Sequence, residues 1–253
     1  MYMSVIEKDP GATVYPELAG ARVLVTGLSA GAGLDVARAF AEHGCRMVLQ
    51  ADGHGPEVVA IGEVLAQVDT GASGEIRMFS DRLTSGETAV KFAQTAAQAY
   101  GGLEVVVNLV SFSAADFAGA QSMEEIEGLV SAKLLPMTLL TRVAANRMRL
   151  TMTEGLLLNV ILMPEVMTSA ERAVAGIARA AIAALTRGEA QAWAGEALRI
   201  NAIAPPGIVD VGGVACLDNE ADIAALALHL ASKRGKRLSG LVFDASGVAS
   251  RGC

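Results

Sequence analysis

The sequence has few of the residues that mark secreted, metal-binding or nucleic-acid-binding proteins. It contains only three cysteines and three histidines in 253 residues. Cys45, Cys216 and Cys253 are far apart and odd in number, which argues against a disulfide framework or a zinc motif and favours a reducing compartment. The chain also lacks a basic surplus, since its formal net charge is -7. We therefore expect no metal site and no nucleic-acid partner.

Long apolar runs and a secretory leader are missing as well. No uninterrupted apolar run approaches the ~18 to 20 residues of a membrane span, so we expect no membrane partner. The start of the chain carries Glu7, Lys8 and Asp9 instead of a basic segment followed by a long apolar one. These features favour a cytoplasmic protein. Residues 1–17 show no sustained periodicity and are predicted to form an N-terminal arm ahead of one domain at 18–253.

Short apolar runs alternate with helical stretches along most of the chain. Hydrophobic side chains make up 52% of the residues. Met47–Leu49, Val105–Val107 and Leu156–Ile161 lack the alternation of a half-exposed strand, as expected for strands covered on both faces. Helical stretches separate them, which is typical of a parallel sheet. The sequence predicts a single-domain α/β fold, a doubly wound parallel sheet with helices on both faces.

A glycine-rich turn follows the first apolar run, Val23–Val25, and leads into a helical stretch. Gly27 would allow a tight turn, Gly31 would let backbone N–H groups approach a pyrophosphate, and Gly33 would let helix and strand pack closely. The order strand, turn, helix favours a nucleotide site, although an ordinary β–α turn can also carry glycines. The candidate cofactor contacts in this turn are Thr26, Gly27, Ser29, Ala30, Gly31, Gly33 and Leu34.

The spacing Thr-Gly-x-x-x-Gly-x-Gly resembles that of the short-chain dehydrogenase/reductase family. Later segments are similar to the family in the same order: Asn108–Ser111, where only the first Asn of the Asn-Asn-Ala-Gly motif remains, then Leu198–Pro205 and Leu238–Asp244. The resemblance covers about residues 18 to 248. It implies a Rossmann-like fold, NAD or NADP as cofactor, and a homodimer or homotetramer.

The resemblance places cofactor selection at the end of the second strand. Ala51 occupies the position of the family's usual acidic residue, while Asp52, one residue later, could reach the ribose or be a solvated turn residue. No Lys or Arg lies in 28–30 or 50–55 to neutralise a 2′-phosphate, which mildly favours NAD over NADP. Asp81 resembles the residue that binds the adenine amino group, and could equally be the N-cap of the next helix. Asn108 is a further candidate cofactor contact.

The residues that carry out the family's reaction do not recur at the matching positions. In the family a Tyr donates the proton, a Lys four residues later assists it, a Ser fixes the substrate oxygen and an Asn holds a water relay. Those four positions are occupied here by Ala175, Arg179, Leu162 and Lys133. A Thr expected near the nicotinamide amide is replaced by Val211. The only tyrosines are Tyr2, Tyr15 and Tyr100, all far upstream, so we predict no catalytic residue at the family positions.

Other side chains offer partial substitutes. Arg179 could bind the cofactor ribose, but a guanidinium stays protonated and is a poor proton donor. Lys133 could act as a general acid if desolvated, or be an ordinary ion-paired helix lysine. A further set follows the ends of the fourth and fifth strands and could face the crevice or serve as loop caps: Ser111, Ser113, Asp116 and Glu165.

The small-residue stretch 170–185 is predicted to form a helix at a two-fold interface, through Val174, Ile177, Ala181 and Leu185; an ordinary buried helix is the alternative.

Three functional hypotheses follow from this sequence. The first is a dinucleotide-binding protein that has lost the family's Tyr-Lys-Ser catalysis and has a binding or regulatory role. The second is an active NAD(P)-dependent oxidoreductase with an unconventional proton donor. The third is a structural partner that binds no nucleotide.

Overall fold

The computed structural model describes residues 15–29, 32–51, 55–68, 74–120, 122–165, 168–206 and 217–246. Its strands are β1 Arg22–Leu28, β2 Arg46–Ala51, β3 Glu75–Phe79, β4 Val105–Ser111, β5 Gly155–Leu162, β6 Leu198–Ala204 and β7 Val242–Asp244. Its α-helices are α1 Leu34–Glu42, α2 Pro56–Ala66, α3 Gly86–Ala96, α4 Ala114–Ala118, α5 Met123–Leu150, α6 Ser169–Ala192 and α7 Glu220–Ala231. Short 3₁₀ turns lie at Pro16–Leu18 and Lys233–Gly235.

The seven strands form one sheet in the order β3-β2-β1-β4-β5-β6-β7. Every neighbouring pair is parallel. The order reverses between β1 and β4, which is the place where doubly wound sheets open a crevice at the carboxyl ends of their strands. The predicted single-domain, Rossmann-like α/β fold is confirmed.

Helices cover both faces of the sheet, as the apolar strand pattern predicted. All eight residues of β5 are buried. On one face, Val36 and Phe40 of α1 share a core cluster with Ile223 and Leu230 of α7. Two further clusters, which include Phe92 of α3, line the other side with α3, α5 and α6. The sheet is therefore a central layer with little exposed apolar surface.

Helix α5 is the one helix in the described parts of the chain that is long and apolar enough, by length and composition, to cross a membrane, with a mean hydropathy of 1.2 in its best window. The sequence analysis looked only for uninterrupted apolar runs and did not identify it. Val130 and Leu134 lie in one core cluster and Leu140 in another. Its apolar face thus packs on the sheet, as in a core helix of a globular domain.

A buried polar network joins β1, β4, β5 and α5 beneath the crevice. The amide of Asn108 donates to Thr141 Oγ1 at 3.0 Å and to Asn159 Oδ1 at 2.9 Å. Its own oxygen accepts from Thr26 Oγ1 at 3.0 Å. Asn108 is only 1% exposed, and buried polar groups with all partners present fix one packing arrangement. The network holds three strands and a helix in register.

The helix predictions need correction at three points. Helix α6 extends to Ala192, and the five-residue α4 was not predicted. Of the residues predicted to face outward on α6, Val174 is misplaced, because it is fully buried in the chain's own core. Ile177, Ala181 and Leu185 are partly buried. The exposed residues of that helix include the small Gly176, Ala180 and Ala184 as well as Arg172 and Arg187.

The described end of the N-terminal arm packs on the domain. Tyr15 and Leu18 are buried in the first core cluster. Residues 1–14 lie outside the described residues.

Candidate functional site

The glycine turn lies at the carboxyl end of β1, against the backbone of β4. Gly27 has φ +76°, and a Cβ there would lie 2.0 Å from the carbonyl oxygen of Leu109. Gly33 has φ +90°, and a Cβ there would lie 2.3 Å from Leu109 Cδ1. Both positions need glycine for its backbone freedom and its lack of volume. Ala30 and Gly31 of the predicted contacts lie outside the described residues.

Several backbone donors around the turn already have partners in the chain. Ser29 N donates to Ala32 O at 3.0 Å, and Ala32 N donates back to Ser29 O at 3.2 Å. Gly27 N donates to the side-chain oxygen of Gln50 at 2.7 Å. Asp35 N, in the first turn of α1, donates to Glu220 Oε1 at 2.8 Å. Neither Gln50 nor Glu220 was predicted to contact the turn or the start of α1.

Gln50 links the turn to the loop after β3. It is fully buried, and its amide nitrogen donates to the backbone oxygen of Asp81 at 2.6 Å. Ala51, at the position of the family's acidic residue, is also buried, while Asp52 lies outside the described residues. The side chain of Asp81 is exposed at the rim, where its predicted adenine contact stays a prediction.

The alternative interpretation of Asp81 as an N-cap is wrong. Helix α3 begins at Gly86, and Ser85 caps it in a reciprocal pair of hydrogen bonds with Thr88. A serine followed three residues later by a side chain that bonds back is a complete capping box, so α3 has no need of Asp81.

Thr26 and Asn108 lie below the crevice and not at its surface. Both belong to the buried network described above, which uses the hydroxyl of Thr26 and both polar atoms of the Asn108 amide. Their side chains position the strands that carry the turn. Leu34 is the first residue of α1 and is partly buried.

The positions of the family's four reacting side chains, here Lys133, Leu162, Ala175 and Arg179, form what we call the reaction wall. Two of these four positions are apolar. Leu162 is 3% exposed and Ala175 is 5% exposed. Leu162 ends β5 and pairs in register with Ser111 at the end of β4. Neither side chain has a group that can donate or accept a proton.

Ser111 brings a hydroxyl to this wall. Its Oγ is buried, and no hydrogen-bond partner for it is found among the described residues. An orphaned buried hydroxyl is unusual and costs free energy unless a water or ligand completes it. It stands one strand away from the position where the family has its serine.

Arg179 is held by other groups of the chain. Its Nη1 lies 2.6 Å from Asp244 Oδ1 at the end of β7 and 2.6 Å from the backbone oxygen of Pro205 after β6. The guanidinium thus lies at the carboxyl edge of the sheet, as predicted, but with one nitrogen engaged by a carboxylate and a carbonyl. A cofactor ribose would compete with those partners.

Lys133 is likewise held in an ion pair. Its Nζ lies 3.0 Å from Asp116 Oδ2 and donates to the backbone oxygen of Ser111 at 3.0 Å. Burial by itself would raise the pKa of Asp116, but hydrogen bonds from Ser113 and Lys133 outweigh it, and the pKa is lowered from its ordinary value. Asp116 and Ser113 also cap α4. The structure therefore brings Lys133, Ser111 and Asp116 together at the predicted crevice.

The tyrosines that the structure describes lie at the other edge of the sheet. Tyr100 donates to backbone oxygens of Met47 and Glu75, at the amino ends of β2 and β3. Tyr15 lies beside His43, which follows α1, and near His229, at the end of α7. Neither phenol can serve the crevice. Val211 lies outside the described residues.

The described ranges contain no group of three or more His, Cys, Asp or Glu side chains placed to hold a metal ion. Cys45 is a buried core residue, and burial raises the pKa of its thiol to about 12. Such a thiol is a poor nucleophile at neutral pH.

Comparison with known proteins gives consistent results. A family model for short chain dehydrogenases matches residues 21–244. Glucose 1-dehydrogenase of Gluconobacter oxydans is 23% identical over 216 residues, which is 85% of this chain and 80% of that protein. The 3beta-hydroxysteroid dehydrogenase 1 of Eggerthella lenta is 26% identical over 196 residues, 76% of this chain and 72% of that protein.

Solved structures agree in fold. A short-chain type dehydrogenase/reductase from Mycobacterium marinum superposes with a TM-score of 0.71 at 19% identity, covering 91% of this chain and 95% of that chain. A short chain dehydrogenase from Mycobacterium smegmatis gives 0.69 at 23% identity, covering 93% and 94%. These likenesses show a shared fold.

The contact between Gly27 and β4 predicts a specific mutational cost. Gly27→Ala should lower the free energy of unfolding by about 2 kcal/mol more than Gly20→Ala, because its Cβ meets backbone that cannot move aside. Gly20 is a matched control: its φ is +77° and a Cβ there meets no atom within 4 Å. Urea denaturation measures both variants. Equal losses would show that the approach of β4 does not constrain the turn.

Proposed function

The chain belongs to the short-chain dehydrogenase family, and we propose that it is a dinucleotide-binding member that has lost the family's usual proton-transfer chemistry. The observation that carries this proposal is the reaction wall, where Leu162 and Ala175 are buried and apolar while Arg179 is paired with Asp244. If the fold still binds the nucleotide but no longer supports the reaction, the protein has a binding or regulatory role.

The cofactor end of the crevice fits a dinucleotide. A pyrophosphate needs backbone to come close, and the two described glycines of the turn occupy positions that a Cβ would fill. NAD is favoured over NADP, since no Lys or Arg lies in 28–30 or 50–55 to neutralise a 2′-phosphate. When bound, such a cofactor supplies or accepts a hydride.

Proton transfer is the step that this wall does not support. A hydride delivered to a carbonyl carbon must be matched by a proton delivered to its oxygen, and general acid catalysis contributes about 10²–10⁴ in rate. Ala175 has no proton to give, and Leu162 cannot hold the oxygen. Arg179 Nη1 contacts Asp244 and the backbone oxygen of Pro205.

A second candidate function has one specific observation in its favour. The Ser111 hydroxyl is buried without a described partner, and Lys133 Nζ lies 3.0 Å from the backbone oxygen of the same residue. A water held between the Ser111 hydroxyl and Lys133 Nζ would give an active oxidoreductase a proton source. The ion pair of Lys133 with Asp116 weighs against it.

We include self-association and a cytoplasmic location in the proposal. The exposed residues of α6 include Gly176, Ala180 and Ala184, and Leu135 on α5 is 51% exposed. Small residues let two helices approach closely, so this surface suits a homodimer or homotetramer.

Calorimetric titration of NAD, NADH, NADP and NADPH into the purified protein tests the binding half of the proposal. We expect saturable binding of NAD or NADH with a Kd below about 1 mM, and weaker binding of the two phosphorylated forms. If none of the four binds at millimolar concentration, the protein is a structural partner that does not use a nucleotide.

Restoring the family residues tests the catalytic half. The triple variant Ala175→Tyr, Arg179→Lys, Leu162→Ser should show weak reduction of small aldehydes or ketones by NADH, at least about 10² above wild type. Ala175→Tyr alone should show none, because Arg179 and Leu162 leave the phenol unassisted. The absorbance of the reduced nicotinamide follows the reaction. Ala180→Tyr in the Arg179→Lys, Leu162→Ser background is the control.

Turnover by the wild type, lost in Ser111→Ala, would favour the second candidate function instead. Turnover by Ala175→Tyr alone would contradict the argument that all three positions are needed.

A further inference from the structure

A carboxylate of the chain itself lies at the phosphate-binding end of the glycine turn. Glu220 is the first residue of α7, and its Oε1 accepts from Asp35 N at 2.8 Å. The backbone N–H groups of Gly33 and Val36 lower the pKa of this carboxylate, against the larger effect of burial, which raises it. Gly33 is the N-cap of α1 and has no side chain to offer. Helix α1 therefore takes its cap from α7.

The packing of α7 on α1 holds Glu220 in this place. Ile223 and Ala227 of α7 are buried in the same cluster as Val36 and Phe40 of α1. The start of α7 is fixed in turn by its N-cap, Asn219, whose side chain accepts from Asp222 N at 2.9 Å. The carboxylate is thus delivered to α1 by a packed helix and not by a free surface loop.

A carboxylate and a pyrophosphate need the same donors at this position. The free N–H groups and the dipole at a helix N-terminus favour one anion there. The donors of Ser29 and Ala32 are paired with each other, and Gly27 N is paired with Gln50. Of the turn's described donors, those at the start of α1 are the ones that face an anion, and that anion is Glu220.

We propose that Glu220 is an internal competitor of the dinucleotide: its carboxylate occupies the pyrophosphate position at the start of α1, and a nucleotide binds only when that side chain moves out. This inference rests on the proposed nucleotide function and adds its regulation. The ligand class is a nucleotide that carries a diphosphate. The affinity of the protein for it is set by the competition with Glu220.

The electrostatics of the contact support displacement. Burial raises the pKa of Glu220 and the nearby Asp35 charge adds to the rise, although the backbone donors lower it. Burial therefore destabilises the ionised Glu220 side chain at this position. A diphosphate carries more charge and more acceptor oxygens, so it forms stronger hydrogen bonds with the same donors. With both anions in place, like charges about 4 Å apart would repel strongly in a partly buried site.

The test is calorimetric titration of NADH and, separately, of inorganic pyrophosphate into wild type, Glu220→Gln and Asp222→Asn. Glu220→Gln keeps the length of the side chain and an oxygen that can cap α1. Asp222→Asn removes the same charge from the first turn of α7 without the contact to α1. We expect Glu220→Gln to bind both probes at least about tenfold more tightly than wild type and Asp222→Asn.

The two probes separate this inference from the proposed function. If Glu220→Gln gains affinity for pyrophosphate while no protein binds NADH, the competition is real and the nucleotide function fails. If wild type binds NADH and Glu220→Gln binds neither probe more tightly, the inference is overturned and the nucleotide function stands. Equal gains in Asp222→Asn would also overturn it, by showing a general charge effect. Should Glu220→Gln fold poorly by circular dichroism, Glu220→Ala takes its place in the same titrations.

Discussion

The close approach of β4 to the glycine turn is the constraint on which the rest of the site depends. Leu109 places its carbonyl oxygen where a Cβ of Gly27 would stand and its side chain against Gly33. The neighbouring residue of β4, Asn108, ties the same strand to β1, β5 and α5 from below. One strand thus fixes the turn, the start of α1 and the register of the central sheet. The described part of the turn is thus positioned by buried backbone of β4.

The opposite end of the crevice is lined by side chains that are poorly suited to proton transfer. Its side chains are either apolar, as Leu162 and Ala175, or engaged with another charge, as Arg179 with Asp244 and Lys133 with Asp116. Ion-paired side chains are poor proton donors and acceptors, because moving a proton to or from either member would leave its partner unpaired. This contrast between the two ends supports the proposal that the fold binds a dinucleotide without the family's usual proton transfer. In the proposed competition, the Glu220 contact at the start of α1 would control nucleotide binding.

Much of the fold could be predicted from the sequence, because it depends on local patterns. The parallel sheet follows from the short apolar runs, and the glycine requirements follow from the spacing of Gly27 and Gly33. The partners of the site could not be predicted in this way. Glu220 meets Asp35 across 185 positions, and Arg179 meets Asp244 through the pairing of β6 with β7. Contacts of this kind depend on how packed helices and strands meet, which no local spacing reveals.

Two errors have a similar physical origin. Helix α6 is so rich in alanine and glycine that its composition gives little contrast between an inward and an outward face, and Val174 was assigned to the wrong one. Asp81 is a residue type favoured at N-caps, but Ser85 has the matching partner three residues on. In both cases the residue type was compatible with the prediction, and the decisive contact lay elsewhere.

A crystal structure of the protein with NADH bound tests the central claim most directly. The account predicts the diphosphate on the backbone N–H groups at the start of α1, including that of Asp35, with the Glu220 side chain moved away. It also predicts Arg179 still on Asp244, and no ionisable side chain within hydrogen-bond reach of the substrate position beside the nicotinamide ring. Lys133 released from Asp116 and turned toward that position would contradict the account and identify the protein as an active oxidoreductase with an unconventional proton donor.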